Sequence, residues 1–154
     1  MLKLQESFVV LDYKAANSDD VIRELAGRLH SAGTVGADYA DDTIERERNH
    51  ATGLPTKPFP IAFPHADAEG VLESGLAVAT LNQPVGFKNM ADPDEELQVE
   101  LVIMLANRSP EEQIQTLRGL AELFGEPEKL KELRELGDQA AVVSWLVREL
   151  DLGH

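Results

Sequence analysis

The chain has 154 residues, a formal net charge of −14 and no cysteine. That length suits one domain able to bury its own core, and the missing thiols exclude disulfides, thiolate metal sites and thiol nucleophiles. The acidity works against a general nucleic-acid surface and against an anionic membrane face; it favours solubility, or encounter with a basic patch on a protein partner.

The amino terminus, Met1-Leu-Lys-Leu-Gln-Glu-Ser7, lacks the apolar core of a signal peptide, and no run reaches the roughly 20 apolar residues that span a bilayer. A cytoplasmic protein with no direct membrane insertion is expected. Phe8–Leu11 reads as a first strand. A helix follows, capped by Asn17 or Ser18, with Val21, Ile22, Leu25, Ala26 and Leu29 on one face and Gly33 just past its end. His30 falls in its last turn, where a cation is favourable, and needs no chemical role. Tyr39 to about Asn49 predicts a second, charged helix whose inward side is Tyr39, Ala40, Thr43 and Ile44, and whose end carries Arg46 and Arg48. Thr52–Pro60, with Gly53, Pro55, Pro58 and Pro60, reads as a rigid loop without regular structure.

Ile61–Phe63 predicts a strand that stops at Pro64-His65. Ala66–Ser74 is a connection, Gly75–Leu81 a strand, Val85–Phe87 a short edge strand, and Met90–Glu96 an acidic loop. Gln98–Leu105 turns continuously apolar and marks a central strand. Ser109-Pro110-Glu111-Glu112 opens a helix through Ile114, Leu117, Leu120, Ala121 and Phe124. A shorter helix over Glu126–Leu136 and a last one over Asp138–Leu150 complete the chain; Leu152-Gly153-His154 reads as a frayed end. The expected architecture is α/β with α+β character: a small mixed sheet flanked by helices, one domain over 1–154, both sheet faces covered.

His65 is the histidine that stands apart. It ends a buried strand, where α/β folds present ligands, and small and acidic residues after it leave access. An arginine-bearing helix end and a Thr-Gly turn lie upstream, as an anion site requires. A metal site from His50, His65 and Asp67 has no recognised ligand spacing. A hydrolase would need a nucleophile elbow, and nucleotide binding a glycine motif; neither is present. An imidazole that accepts a phosphoryl group needs only a balancing cation and a few donors, which this stretch supplies. Arg46 could equally be a solvated helix-end residue pairing with Asp42, and Thr52-Gly53 simply a turn.

The pattern Arg46-Glu47-x4-Thr52-Gly53 followed by Ile61-Ala-Phe-Pro-His65 resembles the enzyme IIA domain of the fructose/mannitol class of the bacterial phosphoenolpyruvate-dependent sugar phosphotransferase system. The Pro-Thr-Lys-Pro-Phe-Pro insert is most similar to the galactitol-type branch. The resemblance implies that His65 takes a phosphoryl group from phospho-HPr and hands it to an enzyme IIB, which works with a membrane enzyme IIC. It implies that Arg46 stabilises phosphate charge, with Arg48 the alternative, and that Thr52 is a hydroxyl donor. Mannitol-type members carry a second histidine where Gln113 stands here, so Gln113 becomes a hydrogen-bond donor unable to gain a proton. His50 has no part in this scheme. No cofactor, metal or nucleic acid is implied. A regulatory, nitrogen-type paralogue using the same phosphorylation is the alternative, and an unphosphorylated interaction module a third.

Overall fold

The computed structural model describes residues 2–152, so Gly153 and His154 lie outside the described residues. In chain order the elements are β1 (Val9–Tyr13), α1 (Ser18–Ser31), α2 (Tyr39–Asn49), β2 (Gly53–Leu54), β3 (Ile61–Ala62), β4 (Gly75–Lys88), β5 (Glu96–Ala106), α3 (Ile114–Phe124), α4 (Pro127–Glu135) and α5 (Gln139–Glu149). The strands form one mixed sheet in the order β1-β4-β5-β3-β2. β5 lies at its centre, as its apolar run predicts.

Alternation along the strands divides the core into two layers. Ala77 and Ala79 of β4, Val102 and Met104 of β5, and Ala62 of β3 face Leu25, Leu29, Tyr39 and Ile44 of α1 and α2. Leu76, Val78, Leu101, Ile103 and Ile61 face Leu120, Leu130, Trp145 and Leu146 of the last three helices. Both sheet faces are therefore buried, which is why β5 reads as continuous rather than alternating hydrophobicity. Each of these large side chains contributes about 1.5–3 kcal/mol by leaving water. Asn17 caps α1 by accepting the Asp20 N–H at 3.0 Å, and Gly33 beyond the helix takes a left-handed φ of 77°.

Four expectations are corrected. Val85–Phe87 is not a separate edge strand: β4 continues across an irregularity after Thr80, and Val85 pairs with Val99 and Phe87 with Leu97. The edges are β1 and β2. The Thr52–Pro60 loop does contain a strand, because Gly53 and Leu54 pair antiparallel with Ala62 and Ile61. Phe8 closes a 3-10 turn (Glu6–Phe8) rather than opening β1, and Phe63 falls outside β3. Ser109 does not cap a regular helix: its hydroxyl donates to Glu111, and a 3-10 turn over Pro110–Gln113 precedes α3.

The topology settles what shares an edge. β3 runs parallel to β5, while β4 runs antiparallel to it with Gly75 opposite Ala106. The segment after β3, the start of β4 and the turn after β5 therefore gather at one end of the sheet. His65 and Gln113 belong to that end. The Arg108 N–H donates to Ser74 Oγ at 2.9 Å and ties two of those segments together.

Candidate functional site

His65 lies three residues beyond Ala62, the last paired residue of β3. Pro64 fixes the turn and has no N–H to satisfy. His65 Nδ1 lies 3.0 Å from the Phe63 carbonyl oxygen. A carbonyl only accepts, so Nδ1 carries the proton and Nε2 keeps a free lone pair. The ring stands 5.8 Å from that of Phe63, which packs edge-on against Phe124 of α3 at 5.5 Å. On the other side the Ala66 N–H donates to the Tyr39 hydroxyl at 3.3 Å. Tyr39 is buried at the start of α2, and that burial raises its hydroxyl pKa and keeps it neutral. The imidazole is thus held from residue 63 on one flank and residue 66 on the other.

Arg46 approaches the same turn from α2. Its Nη1 lies 3.3 Å from Asp67 Oδ1 rather than on Asp42, so the helix-surface pairing expected as its alternative does not form. Its Nε is buried without a hydrogen-bond partner among the described residues, although the side chain is 36% exposed. One guanidinium donor is thus unpaired, and the carboxylate that the side chain does pair with stands two residues after the histidine. Arg48 points elsewhere, pairing with Asp19 of α1 at 3.3 Å. Beside Arg46 opens a cleft of about 440 Å³ lined by Asp42, Glu45, Arg46, His50, Asp67 and Glu69. Four carboxylates against one guanidinium make the cleft unsuitable for a phosphoryl group, and His65 does not line it.

Thr52 is only 2% exposed. Its N–H donates to Glu47 Oε2 at 2.8 Å and its hydroxyl to Glu47 Oε1 at 2.7 Å. The Thr52 hydroxyl, expected as a donor near the imidazole or phosphate, gives its proton to Glu47 here. Burial raises the pKa of the Glu47 carboxyl, and the two bonds from Thr52 partly offset it. Gly53 is required for a different reason: a Cβ there would lie 2.5 Å from the Lys88 carbonyl oxygen.

Gln113 is 4% exposed and ends the 3-10 turn. Its Oε1 accepts from Thr116 Oγ1 at 3.0 Å, which orients the amide and leaves its NH2 turned away from that bond. It shares the sheet end with His65, but no bond joins the two. Asn107, just after β5, holds a buried Oδ1 without a partner among the described residues. His50 is exposed at the end of α2, its N–H on the Arg46 carbonyl. Among the described residues no three His, Asp or Glu side chains gather as metal ligands would. Sequence reasoning quoted Glu47 without giving it work and treated Tyr39 only as an inward face. The signal for Glu47 was its spacing of five residues from Thr52 across a helix end.

A mixed five-stranded sheet with helices on both faces is the fold this chain shares with solved enzyme IIA domains. The mannitol enzyme IIA of Escherichia coli, solved in complex with phosphorylated enzyme IIB, superposes with a TM-score of 0.75 at 25% identity, covering 98% of this chain and 99% of that one. Residues 3–148 match the family described as "Phosphoenolpyruvate-dependent sugar phosphotransferase system, EIIA 2", and the chain belongs to it. The transcriptional regulator ManR of Bacillus subtilis is 33% identical over 94% of this chain, which spans 19% of that protein's length. The galactitol-specific EIIA component of E. coli K12 is 26% identical over 82% of this chain and 83% of its own length.

Proposed function

We propose that this chain is a phosphohistidine carrier: His65 accepts a phosphoryl group from phospho-HPr and passes it to an enzyme IIB serving uptake of a galactitol-like polyol. The observation that carries this reading is the His65 Nδ1 contact with the Phe63 carbonyl, which leaves Nε2 as the nucleophile. In the transfer the Nε2 lone pair bonds to phosphorus as the donor's P–N bond breaks, and the electron pair of that bond returns to the donor ring. No proton has to move. His65 keeps its Nδ1 proton, and the positive charge the ring gains faces the Phe63 carbonyl on one side and the phosphoryl oxygens on the other. The transition state is loose, so positioning and charge balance provide most of the acceleration. Arg46, whose guanidinium is partly exposed, supplies the balancing charge, and Gln113 supplies an amide donor at the same sheet end.

The test is labelled phosphoenolpyruvate with enzyme I, HPr and this protein. One phosphoryl group per chain is expected, lost in His65→Ala; label that persists in His65→Ala would remove His65 from the site. A regulatory role using the same phosphohistidine is favoured by the ManR similarity. Transfer onward to a partner enzyme IIB separates the two: phosphorylated protein that no enzyme IIB discharges supports regulation.

A further inference from the structure

Glu47 sits on the inner side of the last turn of α2 and accepts both donors of Thr52, the N–H at 2.8 Å and the hydroxyl at 2.7 Å. Thr52 passes the restraint on. Its carbonyl accepts the Phe63 N–H at 3.2 Å, and the Phe63 carbonyl accepts from His65 Nδ1 at 3.0 Å. An unbroken series of hydrogen bonds therefore runs from a carboxylate on α2 to the imidazole beyond β3. The acceptor serves stability, because Thr52 is buried and its N–H and hydroxyl would otherwise be left unpaired; the same two bonds also fix where Thr52 sits. An apolar side chain cannot hold Thr52 at two points.

We propose that Glu47 is a positioning residue for His65: its two-point hold on Thr52 sets the Phe63 carbonyl that keeps the imidazole in its Nδ1–H form. The consequence for phosphoryl transfer rests on the reading of His65 as the acceptor; the consequence for the tautomer does not. Each substitution then has a distinct expectation. Glu47→Gln keeps two contacts, since its amide oxygen accepts the Thr52 N–H and the hydroxyl can turn to accept from its NH2. Glu47→Ala keeps none. Thr52→Ser keeps both donors, whereas Thr52→Val keeps only the N–H.

Long-range proton–nitrogen NMR of the protein with 15N-labelled histidine reads the His65 tautomer directly, without any phosphoryl chemistry. Wild type, Glu47→Gln and Thr52→Ser are expected to show Nδ1–H at His65. Glu47→Ala is expected to move the ring toward the Nε2–H form that free histidine prefers in water, with Thr52→Val intermediate. In a second arm, phosphorylation by phospho-HPr is expected to slow about tenfold to a hundredfold in Glu47→Ala, the size of effect that misplacement of a reacting group produces, while Glu47→Gln stays near wild type. A folded Glu47→Ala with the wild-type tautomer overturns the proposal, as does an Nε2–H ring in wild type. If circular dichroism shows Glu47→Ala unfolded, Thr52→Val decides on the same criterion. A wild-type protein that shows the expected tautomers yet takes no phosphoryl group keeps the positioning role and removes the carrier reading.

Discussion

The last turn of α2 sends two consecutive charges into opposite surroundings. Glu47 turns inward, with both oxygens engaged by Thr52 and its carboxyl pKa raised by burial. Arg46 is more loosely engaged, with one nitrogen 3.3 Å from an exposed Asp67 and another buried without a partner. The inner side is over-determined: Thr52 is tied to Glu47 and to Phe63, and Gly53 lies hard against the β4–β5 hairpin. The outer side is under-determined, and an arginine only loosely held is one that can answer a charge arriving at His65. Rigidity behind the imidazole and a less constrained cation beside its turn suit the proposed phosphoryl relay.

Substitutions on the outer side should change transfer and spare the fold. Arg46→Ala is expected to slow phosphoryl transfer to and from His65 by about a hundredfold to a thousandfold, the loss seen when one charge-stabilising donor is removed from an active site. The melting temperature should barely move, because an exposed pair such as Arg46–Asp67 contributes little. Rapid-quench transfer kinetics beside a thermal melt measure both; a large drop in melting temperature would erase the contrast between the two sides. On the inner side Gly53→Ala should do the reverse. Its Cβ would meet the Lys88 carbonyl oxygen at 2.5 Å, so the hairpin must shift, at a cost of about 1–3 kcal/mol in urea unfolding. Tyr39→Phe removes the oxygen that accepts the Ala66 N–H and should destabilise by about 1 kcal/mol.

The raised pKa of Glu47 gives the inner side a pH signature. Its folded value exceeds its ordinary value of 4.5, so between the two the folded protein binds more protons than the unfolded chain. The stability this group confers is present below about pH 4.5 and is lost as pH rises through the raised value. Glu47→Gln does not titrate. Its melting temperature relative to wild type should therefore rise as pH is taken from 4 to 7; a difference that falls over that range would mean the carboxylate is stabilised, not penalised, by its surroundings.

Local rules made most of the architecture legible. The apolar run of β5 announced a strand covered on both faces, and Asn17 and Gly33 marked the ends of α1. What remained hidden depended on partners distant in the chain. Nothing around Gly53 foretells pairing with Ala62, since a two-residue strand has no periodicity to show. Thr80–Val85 looks like a strand end because the polar Asn82-Gln83-Pro84 interrupts the pattern, yet β4 is carried across by pairing with β5. At the site, His65 stands out by itself as a histidine after proline at a strand end, whereas Arg46 stands out only through the Arg-Glu pattern, since an arginine at a helix end is ordinary. Glu47 and Thr52 are ordinary residue types, and at five residues apart across a helix end they carry no motif that announces their pairing.

The smallest expected effect is also the sharpest probe of the outer side. Asp67 is 84% exposed in its side chain and holds Arg46 through one 3.3 Å contact. Asp67→Asn removes a negative charge two residues from His65 while keeping the side-chain shape. An exposed pair of this kind contributes at most about 1 kcal/mol, so the melting temperature should fall by no more than a few degrees. The phosphoryl group on His65 would meet less repulsion, and Arg46 would lose its competing carboxylate. Acceptance from phospho-HPr should then be somewhat faster at low salt, with the gain shrinking as salt screens the exposed charges. If transfer in Asp67→Asn instead slows toward the Arg46→Ala rate, Asp67 aims the guanidinium, and the outer side is as tightly organised as the inner one. The salt series tells these outcomes apart, because screening erodes an electrostatic gain but does not restore a guanidinium that has lost its aim.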